Sequence, residues 1–183
     1  MDNGAGSYRR FLAGDDEGLA EIVREYKDGL ILYLNGYVRN LYIAEELAED
    51  TFFRLITKRP RFSQKSSFKS WLYAIGRNVA VDFVRRNSKQ ISVSAEGMEV
   101  LGKELSLEEA YIREESKVEV YKALSKLSVD YRNVLWLSFF EGFSNREVAK
   151  VMKKSDRQVK NLLYRAKQSL RSILEKEGFH YEK

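Results

Sequence analysis

Arg157, Lys160, Asn161, Tyr164 and Gln168 recur at helical spacing opposite Val159, Leu162, Leu163, Ala166 and Leu170. Cationic and amide side chains therefore share the outward face of one amphipathic helix, a possible recognition surface. Lysine and arginine on such a face neutralise phosphates and release condensed counterions, which makes a polymer of phosphates the natural partner. Ser155 with Gln158 three residues on starts this helix, and Ser144 with Glu147 starts the one before it. In each pair the two side chains satisfy two backbone N–H groups that a helix start leaves without a partner. A single basic amphipathic helix is commonly just a solvated face. Two capped helices across a short basic turn, with Val148, Val151 and Met152 apolar on the first, read instead as a helix-turn-helix. From Ser144 to Ser172 nine Lys or Arg stand against Glu147 and Asp156, a local charge of +7 in a chain of formal charge +5.

A second basic segment runs from Lys58 to Lys89, with nine cations against the single acid Asp82, a local +8. Here Phe62, Phe68, Trp71, Tyr73 and Phe83 interleave with Arg59, Arg61, Lys65, Lys69, Arg77, Arg85 and Arg86. Aromatic and guanidinium faces stack on unpaired bases, at about 1 to 3 kcal/mol per base, while cations hold the strand. Helical register places Phe68, Trp71, Leu72, Ile75, Val79 and Phe83 on one apolar face, the expected core side. Lys69, Tyr73 and Arg77 fall on the opposite face and Phe62 lies in the preceding loop, so these are the candidates for single-strand contact.

The rest of the chain carries about −10, concentrated in Asp15 to Asp28, Glu45 to Asp50 and Glu96 to Glu119. Glu45, Glu46, Glu49 and Asp50 could in principle bind a metal. Without a histidine or a second carboxylate cluster at matching spacing, a protein-binding or solvated face is the better reading. The one histidine is His180 in the tail, there is no cysteine, and no glycine-rich phosphate loop occurs. These absences argue against a zinc site, thiolate or histidine catalysis, and a nucleotide fold, so neither enzyme activity, metal nor cofactor is expected.

The elements that must carry these residues are helices. The only proline is Pro60, and few glycines interrupt the periodic segments. Glu17–Leu34, Tyr37–Lys58 and Ser67–Asn87 read as three helices of a first domain, residues 1–88. Residues 89–116 mix Ser, Gly and Glu with weak periodicity and read as a flexible linker. A second domain, residues 117–175, holds helices at Lys117–Leu127 and Val129–Phe140, a glycine stop at Gly142 and then the helix-turn-helix; residues 176–183 are a tail. The expected fold is all-α, two small helical domains within 183 residues. No secretory apolar segment and no run of about 18 apolar residues is seen, so membrane insertion is not expected and a cytoplasmic location is.

These residues, in this order and spacing, resemble the bacterial RNA polymerase sigma factors of the two-domain extracytoplasmic-function (ECF) type. Phe68 to Arg86, with Trp71, Leu72, Tyr73, Arg77, Asn78 and Asp82, looks like the family's regions 2.3 and 2.4. Ala44 to Arg54 resembles region 2.2, and Ala123 to Leu170 resembles region 4. The resemblance implies that Glu46, Leu47, Glu49, Asp50, Phe52 and Arg54 dock on a coiled coil of the polymerase β′ subunit, with the β flap a further contact. It implies that the loop Arg61 to Ser67, with Asn78 and the neighbouring helix, captures a base flipped from the melted minus-ten strand. Arg61, Phe62, Lys65, Lys69, Tyr73, Arg77, Asn78, Arg85 and Arg86 are then the minus-ten contacts, the pocket offsetting an extrusion cost of a few kcal/mol. Lys160, Asn161, Tyr164 and Arg165 match positions that read the upstream minus-thirty-five element in promoter DNA. Arg157 and Gln158, where many members carry Gly-Thr, add base-reading capacity. Ile43 to Glu49 departs from the common Asp-Ala-Glu-Asp-Leu-x-Gln run, so the polymerase contacts differ in detail. An anti-sigma factor is a further implied partner. The competing class is a dimeric helix-turn-helix regulator that binds operators without polymerase and leaves the aromatic-basic loop without a role.

Overall fold

The computed structural model describes residues 3–91 and 115–177. Its elements run α1 (Asn3–Leu12), α2 (Asp16–Val38), α3 (Leu41–Lys58), α4 (Phe68–Ile91), α5 (Glu115–Ser125), α6 (Val129–Leu135), a π-helical turn (Trp136–Phe140), α7 (Asn145–Met152) and α8 (Asp156–Lys176). No strand occurs among the described residues. Helix α4 continues to Ile91 and α5 already starts at Glu115, so most of the expected linker lies outside the described residues, as do residues 178–183.

Local chemistry sets the boundaries. Asp15 caps α2 through Glu17 N, Asn40 caps α3 through Ile43 N at 3.0 Å, and Ser67 Oγ accepts from Ser70 N at 3.3 Å at the start of α4. Each side-chain oxygen takes a donor that the first helical turn cannot satisfy. Helix α2 runs one turn past the expected Leu34 and stops at Arg39, whose φ of 51° is left-handed. At Gly142 the φ of 70° ends the π-helical turn, as the expected glycine stop requires.

Helices α2, α3 and α4 bury Ile22, Leu30, Ile31, Leu34, Ala44, Leu55, Phe68 and Leu72 between them. Helix α1, absent from the sequence reading, folds back on α2 and also reaches α4. Its approach is close: a Cβ on Gly18 would stand 2.2 Å from Ser7 O, and one on Gly4 would stand 2.3 Å from the Phe68 ring.

The second half does not stand apart, because α6 packs on α2 and α7 packs on α4, joining both halves in one hydrophobic core. Asn35 Nδ2 donates to the Tyr121 hydroxyl at 3.0 Å and Arg39 donates to Leu127 O at 3.1 Å. Lys69 Nζ pairs with the Glu141 carboxylate at 2.8 Å, where the Glu141 side chain is only 7% exposed and also accepts from Trp136 Nε1. Gly36 leaves room at this contact, since a Cβ there would lie 2.2 Å from the Asn133 side-chain oxygen, and a larger side chain must displace it. Leucine at position 36 suits an α-helix better than glycine does, yet it must push α6 off α2. Gly36→Leu is therefore expected to keep its helical circular dichroism while its radius of gyration by small-angle scattering rises. An unchanged radius would mean that α6 can shift locally without releasing the half.

Candidate nucleic-acid interface

Both capping boxes form. Ser144 accepts from Glu147 N while Glu147 accepts from Ser144 N, and Ser155 with Gln158 repeats the exchange. Between the helices the backbone reverses at Lys153, φ 54°. Val148, Val151, Met152, Val159 and Ala166 are buried, so α7 and α8 are held by one apolar seam. On the other side of α8, Arg157, Gln158, Lys160, Asn161, Tyr164 and Arg165 are all exposed. Among the described residues Tyr164, at 65%, is the most exposed of the large apolar side chains. Among the described residues Arg157, Lys160 and Arg165 form no ion pair. Gln158 is partly committed, because its side-chain oxygen accepts from Ser155 N at 2.8 Å. Its amide N–H groups and the second lone pair of that oxygen remain for a base edge.

The second basic surface is built on the 59–67 loop and α4. Arg61 and Lys65 are exposed, whereas Phe62 is half-buried with its ring against Phe68 at 5.6 Å and Trp71 at 5.2 Å. Arg77 and Asn78 are half-buried on the middle of α4, and Arg85 and Arg86 are exposed near its end. Tyr73 corrects the expectation: it is fully buried, stacked on Tyr33 at 5.3 Å and edge-on to Phe143 at 5.4 Å. Burial pushes its hydroxyl well above the usual tyrosine range, with the Glu141 charge adding to the effect. The opposite face of α4 is enclosed as well, since α7 and the segment before it cover α4 from the other side and extend the same core. Lys69 lies on that same covered face and is engaged by Glu141.

The third surface is on α3, and here too the structure corrects two residues. Leu47 and Phe52 are 3% and 6% exposed and belong to the core, so their side chains offer a partner almost no area. Glu46, Glu49 and Asp50 are exposed and Arg54 is half-buried. Tyr42, Phe53 and Ile56, at 62%, 60% and 43%, are the apolar side chains this face shows. The spacing 42, 46, 49, 53, 56 repeats every three or four residues and marks one of the two helical stripes that α3 offers. No group of His, Cys, Asp or Glu among the described residues could hold a metal ion, and none of the described helices is long and apolar enough to cross a membrane.

The 59–67 loop and the start of α4 touch α7, the first helix of the helix-turn-helix. Ser67 Oγ donates to Glu147 Oε1 at 2.6 Å and Lys150 Nζ donates to Lys65 O at 2.5 Å. Burial pushes the Glu147 carboxyl up, but the hydrogen bonds from Ser67 and Ser144 outweigh it and hold the group below its ordinary value. A depressed carboxyl stabilises the folded form above its unfolded pKa and loses that contribution as pH falls through the folded one. The Ser67 contact is thus complete at neutral pH.

A helix-turn-helix with an exposed cationic recognition face, next to a second basic surface bearing aromatics, is the arrangement of a helical DNA-binding protein. Comparison with known proteins makes the class specific. The family model for Sigma-70 region 2 matches residues 22–90 and that for Sigma-70 region 4 matches residues 117–170. The ECF RNA polymerase sigma factor SigX of Bacillus subtilis is 29% identical over 155 residues, covering 82% of this chain and 80% of the relative. SigM of the same organism is 26% identical over 153 residues, 84% of this chain and 93% of the relative. Among solved structures, the Bartonella quintana sigma factor RpoE in complex with the anti-sigma factor NepR has a TM-score of 0.61 at 22% identity, over 85% of this chain and 96% of that one. CnrH in complex with the cytosolic domain of CnrY has a TM-score of 0.62 at 19% identity, over 94% and 95%; both likenesses concern the fold. The chain belongs to the sigma-70 family and is an ECF-type sigma factor. It is a non-enzymatic factor that acts with RNA polymerase in promoter-specific initiation, and the polymerase-independent regulator is not favoured.

Proposed function

We propose that this sigma factor divides promoter recognition between two surfaces. On α8, Lys160, Asn161, Tyr164 and Arg165, with Arg157 and the amide of Gln158, read the minus-thirty-five element in the major groove. On the first half, Arg61, Phe62, Lys65, Arg77, Asn78, Arg85 and Arg86 hold the melted minus-ten strand, with Lys69 released for it when its Glu141 pair opens. The observation that carries this reading is the exposure of an unpaired cationic face on α8 together with a separate exposed loop and α4 end rich in arginine. Cations hold phosphates and bidentate side chains discriminate bases, so the two surfaces suit duplex and single-strand DNA respectively.

Core polymerase docks on the α3 face, through Glu46, Glu49, Asp50, Tyr42, Phe53 and Ile56, with Arg54 at its margin. An exposed apolar stripe rimmed by acids is what a partner surface requires. Residues 1–88 and 117–175 act as the two recognition units and residues 89–116 as their connection. Since polymerase and promoter are its partners, the site of action is the cytoplasm, and an anti-sigma factor that covers these surfaces is its regulator. The experiment is to reconstitute the chain with core polymerase and sequence the 5′ ends of the transcripts it starts from genomic DNA. Start sites sharing two spaced elements support the reading, and transcription no different from core alone removes it.

A further inference from the structure

Helix α1 precedes the residues that the Sigma-70 region 2 model matches, and the function described so far gives it no task. Its contacts point to one. The 59–67 segment carries two non-glycine residues in left-handed backbone, Arg59 at φ 42° and Gln64 at φ 57°. Such conformations persist only where the surroundings over-determine them. Pro60 has no N–H to anchor the segment with. Its carbonyl is held from outside: the Tyr8 hydroxyl, on α1, donates to Pro60 O at 2.7 Å across 52 residues of sequence.

The anchorage continues on both sides of that bond. The Arg59 guanidinium stands 5.3 Å from the centre of the Phe11 ring, again on α1. Phe62 packs its ring on Phe68 and Trp71, and the Tyr8 ring packs on the same two from α1, at 5.5 and 5.4 Å. Tyr8 is 1% exposed, so its hydroxyl is desolvated and has one defined partner. Helix α1 is itself tied down, because Ser7 Oγ donates to Glu21 at 2.7 Å and Arg10 bridges Asp15 and Glu21. The result is a continuous path of contacts from α2 through α1 to the start of the loop.

We propose that Tyr8 is a positioning residue for the minus-ten loop, its hydroxyl fixing the Pro60 carbonyl so that Arg61, Phe62 and Lys65 meet an unpaired base in one geometry. This rests on the reading of that loop as a single-strand contact. Order established before binding avoids an entropy cost at the moment of binding, so the contact acts on strand affinity rather than on the fold alone.

Tyr8→Phe keeps the ring and its packing and removes only the hydroxyl. In holoenzyme reconstituted with the full chain, affinity for a fluorescent single-stranded non-template oligonucleotide, taken from a promoter mapped by transcript sequencing, is expected to fall about three- to tenfold, the range one lost hydrogen bond spans. Core polymerase affinity and binding to minus-thirty-five duplex are expected to be unchanged, and backbone amides 61–66 should exchange hydrogen faster in the free protein. A merely structural role would lower all three affinities together, and that outcome overturns the proposal. So does unchanged strand affinity with unchanged loop exchange, while Arg61→Ala and Lys65→Ala still weaken the strand. If those two substitutions also leave strand affinity unchanged, the loop reading itself is wrong and the proposal falls with it.

Discussion

Phe53→Ala is expected to leave the thermal unfolding transition in place and to weaken assembly with core polymerase by about 30-fold or more, whereas the neighbouring Phe52→Ala lowers that transition. The two phenylalanines are adjacent in sequence and opposite in environment, 60% and 6% exposed. Truncating an aromatic anchor at the centre of an interface costs about 2 kcal/mol or more, and 1.4 kcal/mol is tenfold in affinity. Truncating a buried phenylalanine costs about 3–5 kcal/mol of stability. For a chain of this size that is a fall in Tm on the order of 10 °C. Tyr42→Ala and Ile56→Ala should follow Phe53, and Leu47→Ala should follow Phe52. Titration of labelled variants with core polymerase, beside a melting curve for each, checks the assignment. A Phe53 variant that melts early and binds normally would place the docking face elsewhere.

Substitutions on α8 and on α4 separate the two halves of promoter recognition. Arg165→Ala should weaken binding to a minus-thirty-five duplex by about 1 to 3 kcal/mol and relax its sequence preference, as loss of a base contact does. If Lys160 meets a phosphate, Lys160→Ala weakens all sequences alike and lowers the salt slope by about one. Asn78→Ala leaves duplex binding unchanged and slows promoter opening instead, because it removes a partner for the extruded base rather than for the paired one. Filter binding on duplex fragments and permanganate footprinting of the opened strand distinguish them. Equal losses by all three variants in both assays would mean one undivided electrostatic surface.

What the sequence showed of this site follows from how local each signal is. Ser144–Glu147 and Ser155–Gln158 are capping boxes within one helical turn, so their chemistry needs no tertiary partner and both form as read. The outward face of α8 was legible for the same reason, since Val159 and Ala166 define its buried side. Tyr73 was not legible: what covers it is Phe143, seventy residues away, and no local pattern announces that α4 is enclosed on two faces. On α3 both Phe52 and Phe53 are apolar, and helical period alone offers two stripes without saying which one turns inward. Helix α1 carries no local signature, because Gly4 and Gly6 are poor helix formers; its stability comes from packing against Phe68 and Ser7–Glu21 contacts rather than from propensity.

The division of labour is tested most directly by transcription from one promoter on two templates, intact and with the minus-ten segment opened in advance, using holoenzyme reconstituted with the wild-type chain, Arg165→Ala and Asn78→Ala. A single start site is expected with the wild-type chain, with a defect for Arg165→Ala of the same size on both templates and a defect for Asn78→Ala that shrinks on the opened one. No start site beyond that of core polymerase alone, or two variants that fall in parallel on both templates, would contradict it.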